Sequence, residues 1–138
     1  MKLSTRTRYG MRLMVDLAQH WGEGYIALKD VAERQNISKK YLEQIVSLLM
    51  NHGLLKATRG FSGGYQLAEE PGRITAAEVV RATENSLNAL PCIVDADACD
   101  RREKCPTLSL WSGLEGVIIE YLKGITLADL AAKEPAGR

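Results

Sequence analysis

The amino-acid sequence predicts a mainly α-helical fold with one small β-hairpin, and three observations carry that expectation. Apolar residues recur at helical spacing through most of the chain, the longest run covering residues 107–123. Serine or threonine stands ahead of several runs and glycine closes several of them, as in capped helices. Between residues 54 and 67 the pattern changes to two short strand-like pieces separated by R-G-F-S-G-G, whose glycines permit a tight hairpin tip.

Taken in order, Ser4 or Thr5 can cap a first helix running to about residue 21. Its apolar residues Tyr9, Met11, Leu13, Met14, Val15, Leu17 and Ala18 cover more than one face, as in a core helix. Gly22 and Gly24 stop it. A second, short helix at 29–35 carries Leu28, Val31 and Ala32 on its inner side, and N-I-S at 36–38 forms a turn whose serine can accept a hydrogen bond from the next helix start. The third helix runs to residue 51, with Tyr41, Leu42, Ile45, Leu48 and Leu49 on one face. Two helices joined by a short turn form a helix-turn-helix candidate, a weak signal alone. The hairpin that follows, with Arg59 at its base and Phe61 near its tip, makes the order that of a winged helix. That architecture reads duplex DNA with a helix in the major groove and a wing on phosphates or the minor groove.

Glu69 to Gly72 is an exposed turn, and Thr75 with Glu78 has the capping-box spacing ahead of a helix at 76–84 that carries Val79 and Val80. Residues 85–90 break the pattern. In the long helix after residue 106, Trp111, Leu114, Ile118, Tyr121, Leu122 and Ile125 form a stripe close to an a/d seam. Such a stripe suits pairing with a second copy, hence a homodimer, or packing on its own domain. Gly124 ends that helix, Thr126 caps a short last one, and the tail from 133 to 138 frays. The expected organisation is a winged helix-turn-helix domain at 1–84, a cysteine loop at 85–106, and a dimerisation helix with a short C-terminal helix at 107–138.

Residues 1–66 hold 10 Lys/Arg against 5 Asp/Glu, and residues 67–138 hold 8 against 12. A basic first half fits a nucleic-acid face. The N-terminus lacks the apolar core of a signal peptide, and nothing approaches the ~20 apolar residues of a membrane span, so no membrane partner and a cytoplasmic location are expected. The chain has no phosphate loop followed by lysine, no nucleophile elbow and no paired metal-binding histidines, so it is not expected to be an enzyme. His20 and His52 close helices and read as structural.

Between Pro91 and Pro106 lie the three cysteines of the chain, Cys92, Cys99 and Cys105, spaced C-x6-C-x5-C. An odd number excludes complete pairing within one chain, and thiolates grouped on a loop suit a soft metal centre. Structural zinc prefers C-x2-4-C pairs and four ligands, which fits poorly; iron–sulfur ligation uses wider spacings but also asks for four protein ligands. A fourth would come from Asp95, Asp97, Asp100 or Glu103, from a partner chain, or from a small molecule.

The segments M-K-L-S-T-R-T-R-Y-G, I-S-K-K-Y-L-E-Q-I-V, R-G-F-S-G-G-Y-Q-L and I-T-L-A-D-L, with the cysteine loop before the last, resemble the Rrf2 family of winged-helix transcriptional regulators over nearly the whole chain. The likeness is greatest to its iron–sulfur-cluster (IscR-like) branch, with nitric-oxide-sensing (NsrR-like) and cysteine-metabolism (CymR-like) branches as relatives. It implies a homodimer that binds a partly palindromic double-stranded operator and a [2Fe–2S] cluster held by Cys92, Cys99 and Cys105, controlling cluster-biogenesis genes. It also implies Ser38, Lys39, Lys40, Tyr41, Glu43 and Gln44 on the DNA-reading helix, with Glu43 discriminating operators, and Arg59, Gly60, Phe61, Ser62 and Gly63 in the wing. The sequence departs from the pattern at Leu108, where the IscR-like branch has a histidine ligand, and at Arg8, near where NsrR-like members use an acid. The fourth ligand therefore stays unassigned. A CymR-like chain would instead be gated by a partner enzyme.

Overall fold

The computed structural model describes residues 3–84 and 104–133. Helix α1 (Thr5–Gln19) is capped by Ser4, whose hydroxyl accepts from the Thr7 amide. Helices α2 (Leu28–Gln35) and α3 (Lys39–Asn51) follow, and Asn36 between them holds φ at 52°. An asparagine tolerates this left-handed conformation better than most residues, which permits the abrupt turn. Ser38 caps α3 by accepting from the Tyr41 amide at 3.1 Å.

Strands β1 (Leu55–Thr58) and β2 (Gly64–Leu67) pair antiparallel in the register Leu55–Leu67 to Thr58–Gly64. A third backbone segment flanks the hairpin, for Ile26 and Tyr65 exchange amide-to-carbonyl bonds of 2.8 and 2.9 Å. The approach is close enough that a Cβ on Gly64 would lie 2.2 Å from the Ile26 carbonyl oxygen, so only glycine fits. A 3-10 turn (Pro71–Arg73) precedes α4 (Ala76–Thr83), which opens on the Thr75–Glu78 capping box. Helix α5 (Leu108–Lys123) ends at Gly124, and α6 (Leu127–Ala131) begins with a second capping box between Thr126 and Asp129.

The core lies between α1, α3 and α4 and is closed by the hairpin and α6. Leu13, Met14, Val31, Leu42, Ile45, Leu49, Leu67, Ile74, Val79 and Leu127 are fully buried in it. Each such side chain contributes about 1.5–3 kcal/mol of burial. Although α6 follows the long helix in sequence, in space it belongs to the winged-helix core. Leu127 donates its amide to the Ile74 carbonyl at 2.9 Å, and Ala76 donates to that of Ile125 at 2.8 Å. By contrast, no residue of α5 is buried. Among the described residues no helix is long and apolar enough to cross a membrane.

Candidate nucleic-acid interface and cysteine segment

Helix α3 buries Leu42, Ile45, Val46 and Leu49, which turns Lys39, Lys40, Glu43, Gln44 and Ser47 outward. The hairpin stands beside this outer face, and a groove of about 850 Å³ separates them. Lys39, Glu43, Ser47, Met50 and Asn51 of α3 line it, together with Lys29 near the start of α2 and Thr58, Arg59, Gly60, Gly63 and Gly64 of the hairpin. Of the residues expected to read DNA, the groove thus gathers Lys39, Glu43, Arg59, Gly60 and Gly63. Ser38, Lys40 and Gln44 are exposed outside its walls, and Phe61 and Ser62 project at the hairpin tip. Tyr41 is half-buried and packs edge-on against Tyr9 of α1, with ring centroids 5.7 Å apart.

Lys29, Ser47, Asn51 and Thr58 also line the groove and were not in the expected set. A helical step from Glu43 reaches Ser47 and then Met50 and Asn51, a period visible in the sequence. Lys29 carries no such signal, because its place at the groove depends on how α2 is set.

That setting is made by α1. Asp16 is buried, and its carboxylate accepts from Arg34 Nε at 3.0 Å, Arg34 Nη2 at 2.7 Å and Gln35 Nε2 at 2.9 Å. Arg12 donates to both the side chain and the backbone carbonyl of Gln35. The Asp16 hydrogen bond raises the pKa of the Arg34 guanidinium, with burial opposing it. The end of α2, and with it the turn into α3, is therefore fixed to α1 by charge-assisted bonds. His20 approaches the Asp16 carbonyl at 2.8 Å and His52 that of Leu48 at 3.1 Å; both rings close helix ends.

The far end of α4 is tied to the N-terminus. Glu84 accepts from Thr7 Oγ1 at 2.6 Å, the Ser4 amide at 3.1 Å and Ser4 Oγ at 3.2 Å. Burial by itself raises this carboxyl; the Thr7 and Ser4 donors, with Arg6 nearby, outweigh it and hold the group below the usual glutamate range.

Cys92 and Cys99 lie outside the described residues, as do Asp95, Asp97, Asp100 and Glu103. Cys105 is half-buried just ahead of α5, with Sγ 3.1 Å from Thr107 Oγ1. Leu108, the first residue of α5, offers no donor atom to a metal, and Arg8 is an exposed cation that donates to Thr5 Oγ1 at 3.1 Å. Among the described residues no group of three or more His, Cys, Asp or Glu is placed to hold a metal ion. Three thiolates on one segment suit the chemistry of three positions of an iron–sulfur cluster.

Of the stripe expected to pair helices, Trp111, Leu114 and Tyr121 are exposed on α5, whereas Ile118, Leu122 and Ile125 are half-buried. Leu110 and Val117 extend the exposed set, so Leu110, Leu114, Val117 and Tyr121 follow one another at spacings of four, three and four.

Residues 3–133 match the Rrf2 family, described as an iron-dependent transcriptional regulator. The chain is 40% identical over 132 residues to the HTH-type transcriptional regulator CymR of Bacillus subtilis, covering 96% of this chain and 91% of CymR. The solved structure of CymR, the global cysteine regulator of B. subtilis, is similar with a TM-score of 0.80 at 37% identity, over 98% of this chain and 99% of that one. IscR from T. potens is similar with a TM-score of 0.77 at 38% identity, over 99% and 94%. These relatives are named as regulators, not enzymes.

Proposed function

The chain belongs to the Rrf2 family of transcriptional regulators, and from that premise we propose that it is a homodimeric operator-binding regulator whose three cysteines hold an iron–sulfur cluster of the [2Fe–2S] type. What most supports DNA recognition through α3 and the hairpin is the groove between them, lined by Lys29, Lys39 and Arg59 together with Glu43. The cations suit phosphates, and a carboxylate near base edges accepts a hydrogen bond from cytosine N4. The second copy would pack against the exposed seam of α5, which no described element covers.

Cys92, Cys99 and Cys105 would hold the cluster, with the fourth position supplied from outside the α5 N-terminus, since Leu108 has no donor. Such a group supplies an oxidation-sensitive, removable charge centre next to the dimer helix, so occupancy can favour one arrangement of the two reading heads over another. Control of cluster-biogenesis genes and a cytoplasmic location fit this reading.

Anaerobic purification followed by visible absorption, with iron and sulfide quantitation, tests it. The wild-type chain is expected to be coloured and to contain iron and sulfide, and Cys92→Ala to be colourless. A colourless, iron-free wild type would instead favour a cysteine-responsive regulator gated by a partner enzyme. Leu108 and the likeness to CymR are the observations that favour that second reading.

A further inference from the structure

We propose that Phe61 is a wedge for duplex DNA, carried by the wing into the minor groove, where it packs into a deformable base-pair step. The inference rests on the DNA-binding reading above and deepens it, giving the wing a readout of DNA deformability in addition to charge.

Phe61 is the single phenylalanine of the chain. Its exposure, 109%, is the highest among the large apolar side chains described, ahead of Tyr121 at 69% and Val117 at 67%. The fold therefore leaves the burial energy of a phenyl ring unused. Isolated exposed apolar residues are common, so exposure alone decides nothing; position does. Phe61 stands at the apex of the hairpin, next to Gly60, whose φ of 110° is open to glycine and strained for other residues. The base below it is held firmly. A Cβ on Gly63 would lie 2.5 Å from the Thr58 carbonyl oxygen, and Tyr65 is bonded on both sides to Ile26. The ring is thus presented on a braced support.

Charge identifies the occupant. No Asp or Glu occurs between Gln44 and Ala68, and Arg59 flanks the tip. A polyanion suits this surface. Glu43 in the same groove would be repelled by a sheet of anionic lipid headgroups, whereas it has a partner at the base edges of DNA. Apolar side chains pressed into the minor groove open a base step at an energetic cost that is least at flexible pyrimidine–purine steps.

The test uses the full chain, handled anaerobically, and a duplex that the wild type selects from a randomised library. With 2-aminopurine placed in turn along the flanks, wild type is expected to raise fluorescence at one step per flank, and Phe61→Ala at none. Phe61→Ala is also expected to bind about tenfold more weakly, the scale of one base contact, and to lose the preference for a flexible over a stiff step. Arg59→Ala is expected to bind more weakly yet keep that preference. Because the ring packs on nothing in the fold, Phe61→Ala should melt as wild type does. Wild-type affinity and step preference in Phe61→Ala would overturn the wedge and leave DNA binding standing; a wild-type chain that selects no duplex would overturn both.

Discussion

Asp16 is 1% exposed, on a helix whose other buried residues are mostly apolar, and its partner Arg34 keeps about a third of its side chain in water. That asymmetry decides which half of the pair matters more to stability. Truncating Arg34 leaves a buried carboxylate with the neutral Gln35 donor and His20 Nδ1 at 3.7 Å, and stranded buried charges cost about 3–5 kcal/mol; truncating Asp16 leaves a guanidinium that can rehydrate. Arg34→Ala is therefore expected to lower stability by about 3 kcal/mol in denaturant titration, and Asp16→Ala by less. Equal losses would overturn this asymmetry. Glu84 gives a pH signature. Its folded pKa lies below the ordinary glutamate value of 4.5, so its stabilisation is full above that value and lost as pH falls through the folded one. Melting curves of wild type and Glu84→Gln should differ at neutral pH and converge in acid; a gap that persists in acid would rule out the charge as its cause. Neither residue was legible in the sequence. A lone aspartate in α1 reads as solvated until a partner 18 residues away is folded onto it.

At the scale of elements, caps and glycines were easy to read because their chemistry is local: Ser4, Ser38, Thr75 and Thr126 all cap the helices they precede. The Ile26–Tyr65 and Thr75–Thr126 bridges were not, since each joins residues far apart in sequence. Helix α5 falls between these cases. Its period is visible in the sequence, but which face its own domain covers depends on α4, which packs on it and leaves Leu110, Leu114, Val117 and Tyr121 outward. Val117→Asp puts a charge at the middle of that seam without touching the core. Sedimentation at several concentrations should then show association at least about tenfold weaker than in wild type, since a buried unpaired charge costs several kcal/mol. Unchanged association would move the dimer contact elsewhere.

For the molecule as a whole, the winged-helix order was legible from two helices, a turn and a glycine-rich hairpin, and the groove follows from it. The proposed cysteine site is legible as chemistry alone, because spacing along a chain does not fix how thiolates converge. The placement of α6 has a mechanical consequence. Thr126 and Leu127 anchor the C-terminal end of α5 to the core, while Cys105 stands just beyond its other end. A helix of 16 residues is about 24 Å long, so a tilt of about 10° at the anchored end swings the sulfur end by about 4 Å. A displacement at the Cys105 end would therefore reach the core as a small rotation beside Ile74 and α4.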